Sequence, residues 1–162
     1  RKHIMELGQA LALLGAAIAV SFAGMGSSRG VGSSGETAAA VASENPELAG
    51  KLLVLQLLPA TQGIYGFLIA VMVLIKTQVL GGAMLPVTIE QGLMVIASCL
   101  PIGIVGFYSA IYQGKVASSA MIMTGEHPEM SGRGITMTVM VETYAVLALL
   151  ISFLTVNAIQ IG

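Results

Sequence analysis

Long apolar runs, each interrupted by only a few small or polar residues, account for most of the chain. Four of them exceed the roughly 20 residues a helix needs to cross a bilayer. The pattern predicts helices over residues 5–41, 46–76, 87–124 and 128–160. The first and third are longer than a hydrocarbon core requires and are expected to project into water at one end. The connections within the first pair and within the second pair are short, so each pair reads as a tight hairpin. Chemical markers sit at the predicted boundaries. Asn45-Pro46 and His127-Pro128 put proline at a first helical position, where its missing N–H costs nothing. Glu47 and Glu129 follow in the first turn, where the helix dipole favours an anion. The stretch TIEQ (88–91) reads as a capping box opening the third helix, and LGGAMLP (80–86) as the loop between the hairpins.

The second half of the pattern repeats the first. ENPELAGK (44–51) matches EHPEMSGR (126–133) in Glu, Pro, Glu, Gly and the closing basic residue, at an offset of 82, which Gly24 and Gly106 share. Such self-similarity marks a duplication. The expected organisation is two helical hairpins in parallel topology, residues 1–80 and 81–162. A gap of two residues is expected to shift the register to 80 in the later helices, placing Gln62 opposite Glu142.

Composition narrows the class. The chain is 56% hydrophobic and 9% charged, where a soluble domain carries about a quarter charged residues; mean hydropathy is +0.89. An all-α integral membrane protein follows. A net charge of −1 gives no basic surface for nucleic acid. Cys99 is alone, which excludes a disulfide framework and a thiolate metal cluster, and His3 and His127, both placed near water, do not support zinc. The basic tip at Arg1 and Lys2 precedes an apolar pattern longer than a secretory signal, and so reads as the first span. Arg29, Lys51, Lys115 and Arg133 lie toward the short turns, and Arg1, Lys2 and Lys76 toward the other side. That balance mildly favours cytoplasmic turns.

Against this background Glu142, in TVMVETYAVLALL (138–150), needs a reason. An unpaired carboxylate at mid-bilayer costs about 3 kcal/mol or more. It must be protonated, paired or bound to a cation; a neutral Glu hydrogen-bonding between helices is the plainest alternative. In the second helix Leu58, Thr61, Gln62 and Tyr65 share one face at i, i+3, i+4 and i+7. Pro59 interrupts the helix there and frees the Leu55 carbonyl from its usual donor; loosened turns of this kind can direct carbonyls at a ligand. Interhelical polar packing around a kink explains the same residues less fully. Gln113, late in the third helix, adds another amide. Together these are a carboxylate, two amide oxygens, a hydroxyl and a backbone carbonyl, an all-oxygen set suited to a hard cation, most simply Na+. A proton site needs only Glu142 and one partner. The glycine-rich GMGSSRGVGSSG (24–35) continues a helix with no preceding strand, so it is not a nucleotide loop. Gly26 and Gly30, with Gly24 and Gly32 alongside, suit close helix packing. Helices one and three therefore suit an inner position, and the bulkier helices two and four a lipid-facing ring.

The duplicated hairpin, LQLLPATQGIYGF (55–67), YQGKVA (112–117) and MVETYA (140–145) together resemble the proteolipid rotor-ring subunit of V-type ATPases, with the K subunits of bacterial sodium-translocating enzymes the most similar. The resemblance implies identical subunits in a membrane ring, with helices one and three inside and two and four outside. It further implies a membrane stator that bears an essential arginine, central-stalk subunits at the short turns, and a place in a bacterial cell membrane. By motif it assigns the essential carboxylate to Glu142 and Na+-ligating side chains to Thr61, Gln62 and Gln113. A backbone carbonyl falls to Leu58, and a hydroxyl that closes on the carboxylate to Tyr65. It also implies that Gln62 stands where the first hairpin lost its own carboxylate, and that the chain is part of a rotary ATPase without catalysis of its own. Three other readings remain: the same ring carrying H+ through Glu142; a stand-alone exporter exchanging protons for cationic drugs, which would want aromatics near Glu142 in a chain that has only 5%; and a structural tetraspan protein, which has no use for Glu142.

Overall fold

A computed structural model of the chain describes residues 2–161, with side chains from residue 6 onward. The expectations for Arg1 and for the Lys2 and His3 side chains lie outside the described residues. Five α-helices form: α1 (Lys2–Glu44), α2 (Ala49–Leu57), α3 (Thr61–Lys76), α4 (Ile89–Glu126) and α5 (Ser131–Ala158). Short 3-10 turns at Pro46–Leu48 and Leu58–Ala60 join α2 and α3 into one span, and another at Pro128–Met130 leads into α5. The described residues contain no strand. Four spans are long and apolar enough to cross a membrane: Glu6–Glu44, Pro46–Lys76, Ile89–Glu126 and Pro128–Ala158.

The boundaries move slightly from the sequence pattern, for local reasons. α1 runs on to Glu44, through Ala42 and the polar Ser43 and Glu44 that hydropathy alone leaves out. α4 starts at Ile89 because Thr88 is its N-cap: the Gln91 N–H donates to Thr88 Oγ1 at 3.2 Å, and the Thr88 N–H donates to Gln91 Oε1 at 2.8 Å. Pro46 and Pro128 open tighter turns, not regular helix. Pro59 splits the second span in two, whereas Pro101 lies inside α4 without ending it.

Both of these last prolines sit close to a backbone N–H that finds its acceptor on a neighbouring helix. The Gly63 N–H donates to Ser27 Oγ of α1 at 2.7 Å, and the Ile102 N–H donates to Ser152 Oγ of α5 at 3.1 Å. In a water-free interior a backbone donor must be satisfied in this way, so each serine stitches a proline site to the helix beside it.

α1 and α4 form the centre. The buried positions of α1 are Gly8, Ala12, Gly15, Ala16, Ala19, Ala23, Gly26, Ser27, Gly30, Ser34 and Ala38. Every one is Gly, Ala or Ser, at helical spacing, so the helix presents a stripe without bulk and lets backbones approach closely. A Cβ at Gly26 would overlap the Phe107 backbone, and one at Gly30 the Ala110 carbonyl; one at Gly114 would overlap Gly30 in return. Gly24 and Gly32 face open space instead. The outward surfaces of α2, α3 and α5 carry large exposed apolar side chains, among them Leu57, Ile64, Phe67, Met140, Leu147 and Leu154, as a lipid-facing surface should.

Polar ties close both ends. At the turn end Lys51 Nζ donates to the Pro128 carbonyl at 3.0 Å, joining the two hairpins. At the other end Gln9 donates to the Leu85 carbonyl at 2.9 Å, Lys76 to the Asn157 carbonyl at 2.6 Å and Gln91 to the Gln160 carbonyl at 2.7 Å.

One expectation about the repeat is corrected. An offset of 82 pairs buried with buried residues at four places in the second and fourth spans, Leu52 with Gly134, Gly66 with Ala148, Ala70 with Ser152 and Thr77 with Ile159, and sets buried Leu55, Gln62, Ile69 and Val73 against exposed ones. An offset of 80 brings no buried residue of the second span opposite a buried residue of the fourth; buried Pro59 and Gly66, for example, would face Val139 and Val146, which are exposed. Gln62 and Glu142 are therefore not counterparts. They are neighbours in one site.

Candidate ion-binding site

Three helical elements deliver the site. The 3-10 turn at Pro59 and the first turns of α3 bring Leu58, Thr61, Gln62 and Tyr65; α4 brings Ser109 and Gln113, one turn apart; α5 brings Thr138, Val141 and Glu142. Gln62, Gln113 and Thr138 are fully buried, and Ser109 nearly so, while Glu142, Tyr65, Thr61 and Leu58 are half-buried toward the outer surface.

A continuous hydrogen-bonded chain links them. Tyr65 Oη donates to Glu142 Oε1 at 2.5 Å. Gln113 Nε2 donates to the Thr138 carbonyl at 3.1 Å and reaches Glu142 Oε2 at 3.4 Å. Gln62 Nε2 donates to Gln113 Oε1 at 2.6 Å and to Ser109 Oγ at 3.2 Å. Ser109 Oγ in turn donates to the Val141 carbonyl at 3.1 Å. Thr61 Oγ1 donates to the Leu58 carbonyl at 3.0 Å and lies 3.3 Å from Gln62 Oε1. Among the described residues no buried side-chain nitrogen or oxygen lacks a partner.

All six residues singled out in the sequence meet here. Leu58 enters through its carbonyl, which takes both the Thr61 hydroxyl and the Thr61 N–H, so a Thr61 hydroxyl turned elsewhere would open it. Gln113 shows Glu142 its nitrogen, while its oxygen accepts from Gln62. A carbonyl oxygen has two lone pairs, so the oxygens of Gln62 and Gln113 each retain acceptor capacity. The sequence reading missed Ser109 and the Thr138 and Val141 carbonyls. Ser109 carried a usable signal, since it lies one turn before Gln113 on the same face of α4. Main-chain carbonyls leave no mark in a sequence.

What the arrangement can do follows from its parts. A carboxylate is held at the edge of a bundle by a phenol and an amide, and that amide is hydrogen-bonded in turn to a chain of amide, hydroxyl and carbonyl oxygens. It can accept one small cation, a proton included, and become neutral.

Comparison with known proteins agrees with this geometry. The family profile of the ATP synthase C subunit matches twice, over residues 14–73 and 96–155. The chain belongs to the ATP synthase C-subunit family. The two matches are displaced by the same 82 residues at both ends, in line with the burial register. The chain is 46% identical over 149 residues to the K subunit of the V-type sodium ATPase of Enterococcus hirae, covering 92% of each chain. It is 37% identical over 144 residues to the K subunit of the A-type ATP synthase of Methanocaldococcus jannaschii, covering 89% of this chain and 60% of that one. Membership of the family makes the chain an integral, multi-pass membrane protein and a ring-forming, ion-translocating subunit that is not catalytic on its own.

Proposed function

We propose that the chain is the rotor-ring subunit of a V-type ATPase and that its coupling ion is Na+, carried at Glu142. The observation that bears most weight is that one hydrogen-bonded chain joins the Glu142 carboxylate, through Gln113, to a set of further oxygens: Gln113 Oε1, Gln62 Oε1, Thr61 Oγ1 and the Leu58 carbonyl. A proton needs one of these; a hard cation uses all five. The similarity to a relative named for a sodium ATPase supports the same choice.

In this reading residues 1–80 and 81–162 are the two repeat units. α1 and α4, with their small-residue contact, form the inner layer of a homo-oligomeric ring, and α2, α3 and α5 the outer layer. Glu142 then faces outward between exposed Met140 and Tyr144. Carrying a bare carboxylate past lipid costs several kcal/mol, about 3 or more, so the ring turns into the bilayer only after Glu142 has bound a cation. An arginine on a membrane stator displaces the cation at the exit, and central-stalk subunits grip the short turns near Lys51 and Arg133. Rotation thereby couples ion transfer to ATP hydrolysis or synthesis in a soluble partner.

The test is carbodiimide modification of Glu142, which requires the protonated carboxyl. Millimolar Na+ is expected to slow labelling at near-neutral pH. Labelling that ignores Na+ but follows pH would overturn the sodium reading. It would leave the second one, a proton ring, which the cation-independent Tyr65–Glu142 bond already accommodates.

A further inference from the structure

Ser109 lies behind the cation ligands, hydrogen-bonds to Gln62 and Val141 rather than to Glu142 or Tyr65, and is buried to 6% exposure. We infer that Ser109 is a positioning residue that pins the Gln62 amide with its oxygen toward the cation, and so sets the site's preference for a metal cation over a proton. This rests on the sodium reading and deepens it.

The inference comes from hydrogen-bond direction. Two main-chain carbonyls of α5, Thr138 and Val141, flank the chain of side chains, and a carbonyl can only accept. At one end Thr138 forces Gln113 to present Nε2, which turns Gln113 Oε1 toward Gln62. At the other end Val141 takes the Ser109 proton, so Ser109 Oγ can only accept from Gln62. Gln62 Nε2 has two protons, and these two acceptors use both. Its Oε1 is thereby left on the opposite side, at 3.3 Å from Thr61 Oγ1, among the proposed ligands. No other orientation of the two amides satisfies every group. Without the Ser109 oxygen one Gln62 N–H is orphaned in a buried site, and the amide is held by the Gln113 oxygen alone, so its Oε1 is no longer pinned among the proposed ligands. A displaced Oε1 weakens the hold on Na+ but leaves a proton on Glu142, whose own partners are Tyr65 and Gln113, unaffected.

The experiment uses the assembled ring in detergent, reading Glu142 labelling as a function of Na+ and of pH in the parent, in Ser109→Ala and in Ser152→Ala. Ser152 is a fully buried serine that accepts the Ile102 N–H more than two helical turns from Glu142, so its loss reports general loosening. Ser109→Ala is expected to need about tenfold more Na+ for half-protection, the scale of one lost buried polar contact. Its Na+-free labelling profile against pH should match the parent's, and Ser152→Ala should keep the parent's Na+ requirement. Three results overturn the inference while sparing the sodium reading: unchanged Na+ protection in Ser109→Ala, an equal loss in Ser152→Ala, or a Na+-free profile shifted as much as the Na+ response. No Na+ protection in the parent removes both.

Discussion

Glu142 is held by two donors of unequal standing. The Tyr65 phenol sits at its outer edge, whereas Gln113 is fully buried and divides its amide between Thr138, Glu142 and Gln62. Tyr65→Phe removes one hydrogen bond to a charged group, worth about 1.5–3 kcal/mol. It should raise the Na+ concentration for half-protection of Glu142 by about tenfold or more while the ring stays intact. Gln113→Ala removes a proposed ligand and also strands Gln62 Nε2. Its loss of Na+ affinity, read by the same labelling titration, should exceed that of Tyr65→Phe; equal affinity to the parent would take Gln113 out of the site. The polar residues visible in the sequence were those conspicuous in a span: a carboxylate, two amides, and a threonine and a tyrosine on the face that follows Pro59. Ser109 was hidden because a lone serine in a membrane helix is common and bonds readily to its own backbone. Its role depends on a carbonyl from another helix, which only the fold supplies.

Among the elements, hydropathy located all four spans, because length and apolarity alone decide whether a segment can cross a bilayer. Pro59 was expected to interrupt the second span, and it does, but hydropathy did not show that the fourth, which carries the carboxylate, stays regular through Glu142. Nor did it show that Pro101 can be tolerated inside α4. That tolerance depends on Ser152 lying across from Ile102, a tertiary fact. The α1–α4 contact is a stricter case. Gly30 packs against the Ala110 carbonyl and near Pro59, so Gly30→Leu must push α4 or the Pro59 turn away. Overpacking of this kind costs about 1–3 kcal/mol or more. Because Pro59 precedes Thr61 and Gln62, the same push displaces ligands. The expected outcome is a lowered melting temperature together with loss of Na+ protection. A fully stable Gly30→Leu protein would contradict the close approach.

For the whole molecule, the duplication was readable from ENPELAGK and EHPEMSGR, but its register through the later helices was not: the doubled family match puts it at 82, which the burial of Gly66 with Ala148 and of Ala70 with Ser152 supports over 80. The consequence is functional. On the proposed reading Gln62 is not the relic of a second carboxylate but part of the one site, so each four-span chain would carry a single ion, and a ring as many ions as chains. Membership of a ring also predicts a large, detergent-resistant oligomer on a native gel; a monomer or dimer would contradict it. Within that oligomer Na+ and H+ compete for Glu142, since a metal ion binds only the deprotonated carboxylate. Lowering the pH should therefore raise the Na+ concentration needed for half-protection, by about tenfold per pH unit once the protonated form dominates. At higher pH that concentration should level off at a constant value. Labelling titrated with Na+ at four or five pH values measures both limbs. A Na+ requirement independent of pH would mean that the two ions occupy different groups. One carboxylate then could not both bind the ion and gate the passage of the ring through lipid.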